Sequence, residues 1–467
     1  MRYRYDKRFV FLTILTIVLS GCATYHKLPL NRKAVSEGLK PPSLEAVRIE
    51  AKSIRHPILK PVAFDIHNGL SPDEAAILAV IANPTLRAIR DQRGIATAQL
   101  LQAGILPNPQ ISASLDVPTG GNTQDTVNAF GLGLNWDITS LIARGAKKEM
   151  ARRHAQSVDL DIAWKEWQVA QSARLNVYRL MFTEKELILA RNILKQRKEN
   201  LAAVQRGFSI GAVTGLELDA AKKAYQQALN RILILESEKA HERHALNQVL
   251  GIPPDSKIVL QRDIRPLPWK HLPTTQKIIA GLEDRRLDLL ALKKGYESQE
   301  ARVRAAILSQ FPKINIGLNY AGDTSDVITT GFAAAIDLPF FDRSQGRIAE
   351  TRAGRRQLFD AYLARVFEAQ SNIATILADM KFLKEQIKST EQSFRISTHL
   401  LDAYKKALEE GNADILVYNT ARDNTDNLQL KIFQLKRNLS DMGIALEIAA
   451  GEYIGQADAG IKRTRHD

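Results

Sequence analysis

Two histidines stand at i and i+3 in His241-Glu242-Arg243-His244, which puts both imidazoles on one face of a helix. Such a pair can supply two ligands to a metal ion. It lacks the spacing of a zinc-protease helix and no third ligand accompanies it, so a surface pair is the plainer reading. The 5 methionines do not cluster, which leaves no soft relay for copper(I). Neither a glycine-rich phosphate loop nor a nucleophile elbow occurs. The chain therefore reads as a non-enzyme with no cofactor and no resident metal, and energy for its work must come from a partner.

Cys22 is the only cysteine, so an intrachain disulfide is impossible. Ahead of it lie a basic segment (Arg2, Arg4, Lys7, Arg8), an apolar run from Phe9 to Leu19 that is short for a bilayer span, and Ser20-Gly21. This arrangement resembles the lipobox of bacterial lipoproteins. Residues 1–22 are accordingly read as a lipoprotein signal peptide, cleaved before Cys22, whose sulfur and amine are then acylated. Ala23, rather than Asp, implies passage to the outer membrane. A plain secretory signal with an incidental cysteine is the alternative. The formal charge is +14, and the rest of the chain stays basic once the signal is removed. For an exported chain that suits anionic lipid headgroups rather than nucleic acid.

What positions these groups is a repeated helical plan. Phe359, Val366, Ile373, Met380, Ile387, Phe394, Leu401 and Leu408 stand one heptad apart, a stripe that bends long helices into a left-handed supercoil. It ends at Glu410-Gly411-Asn412, where glycine supplies a helix C-terminus. Two hundred residues upstream, Leu180, Leu187, Leu194, Leu201 and Phe208 lead to Gly211. A period near 200 residues reads as an internal duplication.

Between helices the period changes to two. Ile111, Ala113, Leu115 and Val117 alternate with Ser112, Ser114 and Asp116; Phe130, Leu132, Leu134 and Trp136 alternate with glycine, Asn135 and Asp137. The second half does the same from Ile314 to Tyr320 and from Phe332 to Leu338. Each pair reads as a β-hairpin with one apolar face and strands of membrane-crossing length. Four strands cannot close a barrel, and an open edge cannot face lipid, so the missing strands must come from other copies.

The boundaries that follow are a leader at 23–71, read as irregular from its prolines, a first repeat at 72–251, a linker at 252–273, a second repeat at 274–451 and a polar tail at 452–467. Helices are expected at 72 to about 104, about 141–208, from after the Gly211 turn to about 250, about 275–308, and as a second long helix opened by Pro339-Phe340-Phe341-Asp342-Arg343, with strands near 109–117, 128–138, 312–320 and 329–339. Tip turns fall near 209–216 and 409–416.

The order of helix, hairpin, very long helix, glycine turn and returning helix, done twice, is similar to the TolC family of outer-membrane efflux proteins. Asn83-Pro84-Thr85-Leu86, Gln102-Ala103-Gly104-Ile105-Leu106-Pro107-Asn108-Pro109 and Leu338-Pro339-Phe340-Phe341-Asp342-Arg343-Ser344-Gln345-Gly346-Arg347-Ile348 resemble family signatures. The last run and Leu106-Pro107-Asn108-Pro109 resemble the heavy-metal branch, the CzcC and CusC type. The resemblance implies a mainly α fold with a transmembrane β-barrel, closed as a homotrimer over a helical tunnel. A periplasmic adaptor and an inner-membrane RND-type pump are the implied partners. It also places the adaptor contact and closing aperture at the tip turns, with Gly211, Gly215, Glu217, Asp219, Gly411 and Asp414. Acidic rings occur there in some relatives, and a ring of carboxylates in a narrow pore selects cations; Val417 and Thr420 break the pattern in the second repeat.

Trp136, Tyr320, Phe340 and Phe341 fall at strand ends, where aromatic girdles mark membrane interfaces. Basic runs (Arg144, Lys147, Lys148, Arg152, Arg153 and Arg343, Arg347, Arg352, Arg355, Arg356) sit just below the hairpins, at the level of leaflet phosphates or on a solvated helix face. The favoured reading is an acylated outer-membrane exit duct for heavy-metal cations. A multidrug or protein-secretion channel is the alternative, and a structural periplasmic coiled-coil lipoprotein is the rival of another class.

Overall fold

The computed structural model describes residues 23–266, 269 and 271–454. The signal segment with Cys22 and the tail from 455 onward lie outside the described residues. The chain divides into two compact units, up to Pro41 and from Pro42. In the first, α1 (Arg32–Gly38) starts where the Asn31 side chain accepts from the Ala34 N–H.

The second unit opens with α2 (Leu44–Ser53), capped by Ser43. The irregular leader expected at 23–71 is therefore partly helical. Its prolines fall between the helices, and the caps Asn31 and Ser43 outweigh them locally. Val47 and Ala51, four residues apart, are buried against the first core. His56 fixes the segment after α2: its Nε2 lies 2.9 Å from the Ala163 carbonyl, and its Nδ1 faces the N–H groups of Ile58 and Leu59, both at 3.0 Å. Two donors aimed at Nδ1 require the ring to be neutral with its proton on Nε2.

The helix expected over 72–104 is two helices, α3 (Pro72–Ala82) and α4 (Pro84–Gly104). Pro84 cannot continue α3, and Asn83 turns extended. Its Oδ1 then caps α4 through Thr85 and Leu86. Strands β1 (Gln110–Asp116) and β2 (Ala129–Asp137) follow. Next come α5 (Thr139–Ser209), which is about 105 Å long at 1.5 Å per residue, and α6 (Gly215–Leu250).

The second half begins with α7 (Thr275–Ile279), α8 (Leu282–Arg285) and α9 (Leu287–Leu308), where one helix was expected. Gly281 in the left-handed region and the extended Arg286 make the breaks. Strands β3 (Lys313–Gly322) and β4 (Ile328–Asp337), then α10 (Gln345–Glu409) and α11 (Ile415–Ala450), complete the chain.

Among the described residues two large apolar cores hold these elements, and a small third one joins α5 to α6 at Leu187, Ala190 and Leu235. One gathers α2, α3, the middle of α5 and the end of α6 around Trp167; the other gathers α7 to α11 around Met380. Along the heptad stripe of α10, Ile373 and Met380 are buried, Val366, Ile387, Phe394, Leu401 and Leu408 are half-buried, and Phe359 at its head is exposed. The expected polar tail starts differently. Tyr453 stands edge-on to Trp167 at 4.9 Å and lies over the Arg174 guanidinium, a contact worth roughly 0.5–1.5 kcal/mol beyond area burial.

Candidate functional site

The four strands form one antiparallel sheet in the order β1-β2-β3-β4. Its register brings like with like. Leu115 pairs with Phe130, Ile111 with Leu134, Leu132 with Tyr320, Trp136 with Ile316, and Leu318 with Phe332. Because side chains alternate across a strand, all of these share one face. The other face carries Ser112, Ser114, Asn135, Asn315, Asn319 and the glycines Gly131, Gly133, Gly317 and Gly331. A Cβ at Gly131 or Gly133 would stand 2.7 or 2.6 Å from the Ser114 or Ser112 hydroxyl, so glycine makes room for the polar neighbour.

The apolar face is bare. Ile111 is 79% exposed and Phe332 70%. The outer edges of β1 and β4 have no strand partner among the described residues. An open sheet with an uncovered apolar face and two free edges is an association surface.

Of the aromatics expected in a single class, Trp136 lies at the helix end of β2 and Tyr320 near the loop end of β3, so they belong to two levels. Trp136 donates its indole N–H to the Pro107 carbonyl at 2.8 Å. Tyr320 stacks obliquely on Phe130 at 5.7 Å. Phe340 and Phe341 project from the β4–α10 junction, the latter 94% exposed.

The basic runs beneath the sheet divide. Arg144 donates twice to the Gly104 carbonyl, Arg153 pairs with Glu149 and Glu297, Arg355 with Glu300, and Arg356 with Asp360. Lys147, Lys148, Arg152, Arg347 and Arg352 have no ion-pair partner among the described residues.

At the far ends of the long helices the two turns match bond for bond. Ala212 N–H donates to Gly207 and Gly211 N–H to Phe208; Asn412 donates to Ala407 and Gly411 to Leu408. Gly211 and Gly411 have φ of +71° and +75°, which favours glycine. Gly215 opens α6. Each tip carboxylate has a local partner. Glu217 accepts from the Thr214 N–H at 2.7 Å and hydroxyl at 2.6 Å, a capping box whose hydrogen bonds hold its pKa below the ordinary value. Asp414 caps α11 through Leu416, and Asp219 pairs with Lys222 at 3.0 Å. Ile210, Leu216 and Val417 are exposed beside them.

A feature that periodicity could not reveal is the polar seam between α5 and α11. Arg174 pairs with Glu447 at 2.5 Å, both buried, with Asp73 at 3.2 Å. Arg179 pairs with Asp441, and Arg197 with Asp423 and Asp426. Arg437 joins Glu242 of α6 to the same seam. Burial, partly offset by these arginines, raises the pKa values of Asp426, Asp441 and Glu242. Glu242 is thus committed, and His244 faces the Pro254 carbonyl at 3.1 Å. Among the described residues no group of three metal-capable side chains forms, and no helix is long and apolar enough to cross a membrane.

Residues 78–252 and 279–452 match the family model described as outer membrane efflux protein. A relative named toxin and drug export protein A, from Aggregatibacter actinomycetemcomitans, is 19% identical over 74% of this chain and 78% of its own length. The cobalt-zinc-cadmium resistance protein CzcC of Cupriavidus metallidurans is 21% identical over 72% of this chain and 81% of its own. Among solved structures, CusC superposes with a TM-score of 0.68 at 18% identity, covering 85% of this chain and 98% of its own.

Proposed function

The chain belongs to the outer membrane efflux protein family, and we propose that it is the exit duct of a tripartite efflux system. Three copies, each giving four strands, make a 12-stranded barrel, and the long helices continue it as a periplasmic tunnel. The repeated element order represents a duplicated unit, and Cys22 is the lipid anchor in the outer membrane. Members of this family are channels rather than enzymes, and transport energy comes from an inner-membrane RND-type pump through a periplasmic adaptor. The observation that carries this reading is the sheet, with one bare apolar face, one face of glycine, serine and asparagine, and two edges without a strand partner among the described residues; such a sheet suits a barrel wall between lipid and an aqueous lumen.

Trp136, Phe340 and Phe341 mark the periplasmic membrane level, and Tyr320 a level nearer the exterior. The turns bearing Gly211, Gly215, Glu217, Asp219, Gly411 and Asp414 form the aperture and the adaptor contact, to which Ile210 and Leu216 offer apolar surface. Heavy-metal cations are the first cargo class, on the kinship with CzcC and CusC; drugs and other small solutes are the second, on the kinship with the drug export protein.

Purified protein should run as a heat-resistant trimer on unboiled gels and conduct ions in planar bilayers. A monomer without conductance would leave the spacer lipoprotein standing instead. Growth of a deletion strain over divalent metals and a drug panel, complemented by wild type and Cys22→Ser, separates the cargo classes and tests the anchor.

A further inference from the structure

Helices α4, α5, α9 and α10 pack side by side in that order beneath the sheet. Residues of all four line one cavity of about 1260 Å³. Outer and inner members of a layer share a cavity only where the layer curls around it, so this cavity lies on the concave side. In a closed ring of three such layers the concave side faces the axis.

Three cations line the cavity, Lys147 from α5, Arg302 from α9 and Arg347 from α10, against one carboxylate, Glu350. All three are exposed, and none has an ion-pair partner among the described residues. On the same helices Arg153 is matched by Glu297 and Arg355 by Glu300, while other unmatched cations, Lys148, Arg152 and Arg352 among them, do not line the cavity; what sets the three apart is that they converge on one cavity from three helices. Gln99, Gln102, Gln299 and Gln357 add amides, of which Gln299 alone has a side-chain hydrogen bond among the described residues, to the Thr351 carbonyl. Asp116, Asp137 and Asp337 share the polar strand face with one cation, Lys313, so the strand level carries no matching excess of positive charge. Unmatched cations on several converging elements, with amide donors between them, suit an anion with more than one carboxylate or phosphate group.

We propose that this cavity is an anion-binding station in the duct, formed by Lys147, Arg302 and Arg347 and repeated three times around the axis, for a soluble solute bearing two or more carboxylate or phosphate groups. It rests on the reading of the chain as a trimeric duct. On this reading a metal cargo passes the collar as a complex with an anionic solute rather than as a free cation.

The test uses the purified full-length protein and citrate as probe, by equilibrium dialysis with radiolabelled citrate and by conductance in planar bilayers. Wild type should bind citrate saturably and its conductance should fall as citrate is added. Lys147→Gln, Arg302→Gln and Arg347→Gln together should weaken binding at least about tenfold, from three partly screened contacts. Glu350→Gln should strengthen it, a change in the opposite direction that loss of folding cannot mimic. Unboiled gels report whether each variant still assembles. Equal citrate binding by wild type and the triple variant, with conductance intact, would overturn the station and leave the duct. A citrate effect seen only in nanodiscs containing phosphatidylglycerol would place a lipid headgroup at the cations and overturn the solute reading. A protein that neither trimerises nor conducts would bring down the duct, and the station with it.

Discussion

Asn83 and Arg286 hold the same station in the two halves of the chain. Each is the extended residue between a short helix and the helix that leads to the strands. Each donates a hydrogen bond to the last turn of a returning helix, Asn83 Nδ2 to the Val249 carbonyl at 2.8 Å and Arg286 Nη1 to the Ala449 carbonyl at 3.0 Å. Two side chains of different chemistry thus close the same joint, two hundred residues apart at the acceptor.

This joint predicts a ranking of glycine substitutions. A Cβ at Gly251 would meet the Ala82 carbonyl oxygen at 2.7 Å, and one at Gly451 would meet the Arg286 side chain at 2.8 Å. At Gly281 it would meet nothing, although φ is also positive. Gly281→Ala should cost only the conformational penalty, about 1 kcal/mol. Gly451→Ala should cost more, because the stem of the buried Arg286 must shift, and Gly251→Ala the most, because the Ala82 carbonyl and the Asn83 backbone must move. Melting of the purified protein by circular dichroism checks the order.

The Arg174–Glu447 pair should be asymmetric under mutation. Glu447→Gln leaves a buried guanidinium with only Asp73 for compensation and should cost about 3–5 kcal/mol. Replacing both partners by Arg174→Met and Glu447→Leu should cost much less. A double variant that melts no higher than Glu447→Gln alone would contradict this.

The seam carboxylates give a pH dependence with a defined sign. Burial raises Asp426, Asp441 and Glu242 above their ordinary values in the folded chain. The folded state therefore binds protons more readily than the unfolded one between the ordinary and raised values. Across that window the three groups stabilise the fold as pH falls. Asp426→Asn should flatten this part of the melting-temperature profile; an unchanged slope would remove Asp426 from the account.

His56 acts in the opposite direction. Burial lowers its pKa from 6.5, and protonation would turn Nδ1 from an acceptor into a donor facing two N–H groups. Its contribution is present above pH 6.5 and is lost as pH falls through and below that value. His56→Gln should remove the loss, which a comparison of wild-type and variant melting between neutral and mildly acid pH would detect.

At the tip, Glu217→Gln removes a charge while a glutamine can still complete the capping box with Thr214. Together with Asp219→Asn it should change the cation dependence of conductance if these groups line the aperture. Unaltered conductance across monovalent and divalent salts would confine both residues to local capping and pairing.

Much of the architecture is legible along the chain because its signals are periodic. The heptads from Phe359 to Leu408 and the alternation from Ile111 to Trp136 each repeat over enough residues to name the element, and Gly211 and Gly411 mark the turns through a backbone geometry that favours glycine. Helix breaks at Asn83 and Arg286 and the short helices before Phe64 carry no periodic signal, since one cap or one extended residue decides them. What only the tertiary structure decided are the pairings of single residues far apart: Arg174 with Glu447, His56 with Ala163, and the meeting of Lys147, Arg302 and Arg347 at one cavity. Periodicity records which face of an element is apolar, whereas the partner of a lone charge depends on how helices from both halves are brought side by side.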